Sequence, residues 1–157
     1  MKATVFVLLM ILGGMGLHAQ STDQENFPTV FLMGQDETLY EQLKQKYTYS
    51  LLDASKDDMS MAFDAWLKFM VAFEEYANSQ NVDINGAKMW IHTFFSKEGN
   101  VDHIGFLLKD DSRNVDISEL TAAFKGFAGQ YQLPLSFNSP FYNYTGATFP
   151  TFAKKEK

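Results

Sequence analysis

Residues 87–109, with the sequence AKMWIHTFFSKEGNVDHIGFLLK, constrain the fold more than any other part of the chain. They contain two apolar runs rich in strand-forming residues, and the short polar segment SKEG separates these runs. Glycine adopts a positive φ at no steric cost, so we expect a type I turn with a bulge at Gly99. The sequence therefore predicts a β-hairpin, and the neighbouring segments must supply the layers that cover it.

The predicted turn fixes which residues of the two strands face each other. Phe95 would face Val101, and His92 and His103 would point to opposite faces of the sheet, because side chains alternate along a strand. One face would carry Trp90, Phe94, Ile104, Phe106 and Leu108, and the other would carry Met89, Ile91, Phe95, Val101 and Leu107. Both faces are apolar, so either helices cover both or one face receives a partner. The candidate interaction surface is the second set together with Tyr142 and Tyr144.

Helical periodicity precedes the hairpin. A first helix is expected over residues 36–52, where Leu39, Leu43 and Tyr47 recur at helical spacing. Ser55 and Asp58 have the spacing of a capping box, which predicts a second helix over residues 56–81. The apolar stripe of this second helix is typical of a helix that faces the core, and its members are Met59, Phe63, Trp66, Met70, Phe73 and Tyr76.

The remaining elements complete an α+β fold. Residues 29–33 predict a short edge strand, and a last strand is expected near residues 146–152. Asp116 precedes an amphipathic helix whose apolar face carries Ile117, Leu120, Phe124, Phe127 and Tyr131. We thus predict an antiparallel sheet built on a central β-hairpin, packed against a long helical N-terminal segment and one C-terminal amphipathic helix. Trp66 and Phe124 are expected to be core residues.

The first 19 residues have the pattern of a signal peptide. Lys2 precedes an apolar run over residues 5–12, and the small residue Ala19 marks the expected cleavage site. The run is too short to span a bilayer, so no membrane insertion is expected after cleavage. Residues 20–157 would then form a single domain with a short flexible leader and a basic tail at Lys154, Lys155 and Lys157. We expect the protein to be exported, either to the periplasm or out of the cell.

Composition argues against several classes of function. The chain has 13 Lys and Arg and 19 Asp and Glu, and this net charge of −6 argues against binding nucleic acid. It has no cysteine, which excludes disulfides and thiolate metal sites. In the predicted register His92 and His103 cannot share an ion, so no metal site is expected, although a register shifted by one residue would place them opposite each other. We also expect no cofactor, since neither a phosphate-binding glycine loop nor a dinucleotide-binding motif is present.

Signals for catalysis are weak. The chain has no G-x-S-x-G motif, and adjacent carboxylates such as Asp57 and Asp58 do not face each other on a helix. Two alternatives to a protein-binding role stay open. One is a small-ligand binder or hydrolase with a pocket between the Met-rich second helix and the sheet. The other is a carbohydrate-binding module that uses Tyr142, Tyr144 and Phe149 as stacking platforms.

Two resemblances follow from this order of elements. The segment IHTFFSKEGNVDHIGFLLKDDSRNVDISEL and the closing ATFPTF are similar to small exported proteins of Bacteroides-type bacteria that have no assigned activity. Residues 87–152, with a hairpin, an amphipathic helix and a final strand, resemble the C-terminal domain of TonB-type energy transducers. The retained anchor and the Pro-rich spacer of TonB proteins are missing here, so this second resemblance implies a shared scaffold and not energy transduction.

The sequence favours a non-enzymatic exported protein that binds another protein through a sheet face or edge. A sheet with an uncovered apolar face or a short edge strand can recruit a partner by burying a patch or by strand addition. The expected partner is a protein of the periplasm or cell envelope.

Overall fold

The computed structural model describes residues 27–152. The predicted signal peptide and the basic tail lie outside these residues. Within them, the strands are β1 (Val30–Leu32), β2 (Tyr49–Ser50), β3 (Lys88–Phe95), β4 (Val101–Leu108) and β5 (Phe141–Thr148). The helices are α1 (Glu37–Lys46), α2 (Leu51–Ala54), α3 (Met59–Ser79) and α4 (Ile117–Ala128).

The five strands form one mixed sheet in the order β1-β4-β3-β5-β2. The three central strands are antiparallel, as the predicted hairpin requires, but both short edge strands pair in parallel with their neighbours. The α+β class is confirmed, whereas the prediction of an antiparallel sheet built on the hairpin is wrong. The parallel pairs join segments that lie about 70 to 90 residues apart in the sequence. No turn motif connects such segments directly, so local sequence patterns do not predict their pairing.

The prediction of a long helical N-terminal segment is also wrong, because helix α1 ends at Lys46. Tyr49 and Ser50 instead pair with β5, and Ser50 forms a capping box with Asp53 that starts the short helix α2. Positive φ angles at Lys56 and Asp57 then separate α2 from α3. Asp58 is the N-cap of α3 and accepts a hydrogen bond from the Met61 N–H at 3.0 Å.

The predicted turn is present, but the predicted register holds for only one residue pair. Gly99 has a φ of +85°, and Phe95 faces Val101 as expected. A β-bulge then shifts the pairing, so that Phe94 faces His103 and the residues farther from the turn are displaced by one. The bulge leaves Asp102 without a partner on β3, and the Tyr47 hydroxyl donates to its carboxylate at 2.8 Å. Because of this shift, His92 and His103 lie on the same face, contrary to the prediction.

One face of the sheet holds the main core beneath α3 and α4. Phe69 of α3 packs edge-on against Phe95, and Phe124 of α4 packs against Phe106. The two helices meet through Phe73 and Phe124, whose rings stack at 4.1 Å. Phe124 is fully buried, which confirms it as a core residue, whereas Trp66 is only partly buried.

The opposite face of the sheet carries a second, smaller core beneath α1. Leu43 of α1 and Tyr47, the C-cap residue of α1, pack on Phe94, and Phe31 and Tyr142 lie at the margin of this cluster. The last strand begins earlier than the predicted residues 146–152, at Phe141, and this places Tyr142 and Tyr144 on the face covered by α1. Since α1 has only ten residues, it leaves part of this face uncovered.

Candidate functional site

The predicted interaction surface is divided between the two faces of the sheet. Met89, Ile91, Phe95 and Val101 are buried in the main core and cannot touch a partner. Leu107 is on the other face and 46% exposed, because the bulge moved it out of the predicted set. Tyr144 is 49% exposed and Tyr142 is partly exposed on that same face. The uncovered apolar surface therefore differs from the predicted one.

A groove runs between the first half of α3 and the outer edge of β5. We call it the β5 groove, and it has a volume of about 320 Å³. Its apolar side is formed by Phe63, Trp66, Leu67 and Met70 of α3 together with Phe152, and its other side by Thr145, Gly146, Ala147, Thr148 and Thr151. Phe63 and Phe152 are 53% and 60% exposed, and their rings stack at 6.1 Å. The mouth of the groove is thus lined by large apolar side chains that face water.

The length of α3 explains why part of its apolar stripe is exposed. A helix of 21 residues is about 31 Å long, whereas an eight-residue strand spans about 26 Å, so α3 extends beyond the sheet. Phe73, in the second half of the stripe, is fully buried, but Met59 and Phe63 in the first half are exposed. The length of α3 is the sequence signal that could have identified this part of the stripe as surface.

The outer edge of β5 has backbone groups beside the groove that no described strand pairs with, and the Gly146 carbonyl accepts a hydrogen bond there from the Thr145 hydroxyl at 3.5 Å. In the described part of the chain, β2 pairs with β5 at Phe141 and Tyr142 only. The Phe149 N–H donates to the Ala87 carbonyl at 2.9 Å, and hydrogen-bonded pairs alternate along an antiparallel ladder. The backbone groups of Gly146 and Thr148 therefore point away from β3. Both residues are exposed, and at Gly146 that exposure is of the backbone itself.

Thr151 places a polar side chain at the inner end of the β5 groove. Its backbone N–H donates to the carboxylate of the buried Glu74 at 2.8 Å, which anchors this part of the chain to α3. Its side-chain hydroxyl is buried and has no hydrogen-bond partner in the described structure. A buried hydroxyl without a hydrogen-bond partner costs about 1 to 3 kcal/mol. A ligand that supplied a hydrogen-bond partner for this hydroxyl would therefore bind more tightly.

A second cavity, which we call the tyrosine pocket, lies between α1 and the opposite face of the sheet. Its volume is about 560 Å³, and its lining includes Tyr40, Lys44, His92, Tyr142 and Tyr144. Trp90, which is 40% exposed, lies beside it with its ring parallel to that of Tyr144 at 5.7 Å. The Lys109 ammonium sits 4.1 Å from the centre of the Trp90 ring, a cation–π contact.

His92 is the buried polar group of the tyrosine pocket. It is 5% exposed, and its Nδ1 lies 2.7 Å from the Tyr40 hydroxyl. Burial lowers the pKa of His92 to about 4, with a smaller contribution from the Lys44 charge, so the ring is neutral at pH 7. Burial also raises the pKa of Tyr40 to about 12. The Nε2 atom of His92 has no hydrogen-bond partner among the described residues.

His103 lies on the same face but takes part in a separate set of contacts. Its Nδ1 donates to the Pro28 carbonyl at 3.0 Å, and burial lowers its pKa. The Phe94 ring stacks on His92 at 4.2 Å and also contacts His103 from 6.4 Å. Within residues 27–152, no group of three or more His, Asp or Glu side chains is arranged to hold a metal ion.

Sequence reasoning missed the residues that complete both cavities. Tyr40 and His92 are 52 residues apart, and nothing local to either residue predicts their contact. Trp66 was assigned to the core; it packs against the core and stacks on Phe69 at 4.7 Å, but it is only partly buried and also lines the β5 groove. Phe149, predicted as a stacking platform, is fully buried and cannot serve as one.

The protein is an α+β protein with a mixed sheet, and the β5 groove and the tyrosine pocket lie on opposite faces of that sheet. Searches with protein-family models, curated proteins and solved structures give no match to this chain. The resemblances drawn from the sequence therefore stay predictions. Of the helices in the described region, none has both the length and the apolar character needed to cross a membrane.

Proposed function

We propose that this protein is a non-enzymatic, exported binding protein that holds an extended segment of a partner protein in the β5 groove. The observation that carries the proposal is that an open strand edge, on β5, lies next to the apolar side chains of α3. Strand addition needs both, because backbone hydrogen bonds supply affinity and a pocket beside the strand selects a side chain.

The β5 groove provides both backbone groups for strand pairing and a pocket for a side chain. The outward backbone groups of Gly146 and Thr148 are available to pair with an added strand. Phe63, Trp66 and Met70 can enclose an apolar side chain of that strand, and the Thr151 hydroxyl can bond its backbone. Methionine suits such a surface because its side chain adapts to different shapes. The chain carries a net charge of −6, so a neutral or basic segment is favoured over an acidic one.

The experiment compares two exposed apolar residues of similar size on different surfaces. The chain over residues 20–157 is tagged and used to capture partners from the exported fraction of its host. Phe63→Ala should abolish capture, whereas Leu107→Ala, on the opposite face of the sheet, should leave it intact. Thr148→Pro removes an outward backbone donor without touching the ladder to β3, so it should also abolish capture.

Hydrogen exchange supplies the direct readout. With the captured partner bound, the amide protons of Gly146 and Thr148 should exchange more slowly, since an added strand would accept their hydrogen bonds. Unchanged exchange at both amides, with capture lost in Leu107→Ala instead, would reject the groove as the binding site.

A further inference from the structure

The tyrosine pocket is a second site, separated from the β5 groove by the sheet itself. It combines aromatic rings, hydroxyl groups and one ammonium group around a cavity of about 560 Å³. That volume is within the usual range for small-molecule sites, which are concave and mostly apolar with a few placed polar groups. Its function does not depend on the role proposed for the groove.

The hydrogen bond between Tyr40 and His92 determines what the pocket offers a ligand. Tyr40 keeps its proton at neutral pH, and a phenol is a better donor than acceptor, so we assign its O–H as the donor to Nδ1. The proton of the neutral imidazole is then on Nε2. This N–H group is buried and unpaired, and an oxygen atom of a ligand would complete its hydrogen bonding.

The other polar groups of the pocket can all donate hydrogen bonds. Lys44 is the one charged side chain among the described residues that line it, and no carboxylate lines it. The Lys44 ammonium pairs with Glu41 outside the pocket and lies 5.0 Å from the centre of the Tyr40 ring. The Tyr142, Tyr144 and Thr48 hydroxyls can each donate as well. Such a pocket favours a ligand with many acceptor oxygens and disfavours a cation.

The aromatic residues set the shape of the ligand. Tyr142 and Tyr144 lie 5.1 and 5.2 Å from the His92 ring, so the floor of the pocket is made of aromatic surface. The parallel rings of Tyr144 and Trp90 extend this surface beyond the mouth of the pocket. Aromatic faces are apolar and slightly negative, and the C–H groups on one side of a sugar ring fit against them.

We propose that the tyrosine pocket binds a saccharide ring, with the His92 Nε2–H donating to an oxygen of the sugar and the ring lying against Tyr144. A saccharide ring combines a flat apolar side with acceptor oxygens on its rim.

The test is saturation-transfer NMR on the chain over residues 20–157, with five saccharides and one aromatic acid. The probes are glucose, galactose, N-acetylglucosamine, glucuronate and maltose, with 4-hydroxybenzoate as the planar competitor. We expect transfer to the ring protons of at least one saccharide, with about tenfold weaker binding in Tyr144→Ala and in His92→Phe. Phe63→Ala, in the β5 groove, is the matched control and should bind normally.

Three results would overturn the proposal. No transfer to any of the five saccharides overturns it, as does binding of 4-hydroxybenzoate alone. Saccharide binding that Tyr144→Ala leaves unchanged also overturns it, because the sugar would then sit elsewhere. Tyr144 is half-exposed, so its replacement keeps the test valid even if His92→Phe fails to fold. Loss of partner capture in Phe63→Ala with normal sugar binding would separate the two sites.

Discussion

Replacing Gly99 by alanine tests the hairpin turn on which the central strands depend. Gly99 has a φ of +85°, and a Cβ placed there would lie 2.5 Å from the Leu133 carbonyl oxygen and 2.6 Å from that of Leu135. Both oxygens belong to the backbone, and the Leu133 N–H donates to the Gly99 carbonyl at 2.8 Å. The segment after α4 must therefore move away from the turn to make room for a methyl group.

Gly34 is the matched control, since its φ is +89° and a Cβ there would meet nothing within 4 Å. Left-handed backbone costs an alanine about 1 to 2 kcal/mol, and the smaller entropy of its unfolded chain offsets about 0.4 to 1 kcal/mol. Gly34→Ala should thus cost about 1 kcal/mol. Gly99→Ala should lose in addition about two backbone hydrogen bonds, at about 1 kcal/mol each, for a total of about 3 kcal/mol.

Urea denaturation followed by circular dichroism measures both free energies of unfolding. If the two variants differ by less than about 1 kcal/mol, the close contact between the turn and residues 133–135 is not present in solution. Equal m-values in the two variants are needed for the comparison, because a changed m-value would indicate an altered unfolded state.

The other predictions concern the core, pH and processing. Phe124→Ala should cost about 3 to 5 kcal/mol in urea denaturation, since Phe124 is fully buried, whereas the exposed Phe152→Ala should cost under about 1 kcal/mol; similar losses would contradict the assigned core. Because the pKa of His92 is lowered to about 4, below its unfolded value of 6.5, the unfolded chain binds more protons between these pH values. The free energy of unfolding should therefore fall as pH drops from about 6.5 to about 4, and His92→Phe should weaken this dependence; part should remain, because burial also lowers the pKa of His103. Intact-mass measurement of protein from its host should show the loss of residues 1–19, and recovery of the full-length chain would refute the signal peptide.

The sequence was informative where structure depends on neighbouring residues. The hairpin turn follows from Gly99, and the helices α3 and α4 follow from apolar residues at spacings of three and four. Asp116 caps α4 by accepting from the N–H groups of Ser118 and Glu119, as its position before the apolar stripe indicates.

The same reasoning failed where distant residues decide the structure. The bulge at Asp102 reverses the predicted faces for most of β4, and its carboxylate bonds to Tyr47, 55 residues earlier in the chain. Turn chemistry alone could not predict that shift. The tyrosine pocket needs Tyr40 and His92 together, and the β5 groove needs an edge that β2 covers for only two residues. Neither arrangement has a local pattern.

The parallel pairing of the two edge strands limits the order in which this chain can fold. Val30 pairs with Ile104, and Tyr49 pairs with Phe141. Strands β1 and β2 therefore cannot pair until residues much later in the chain have been synthesised. Long-range pairings of this kind slow folding, because a large loop must close before any contact compensates for the lost entropy. The ribosome must therefore release nearly the whole chain before the sheet can be completed.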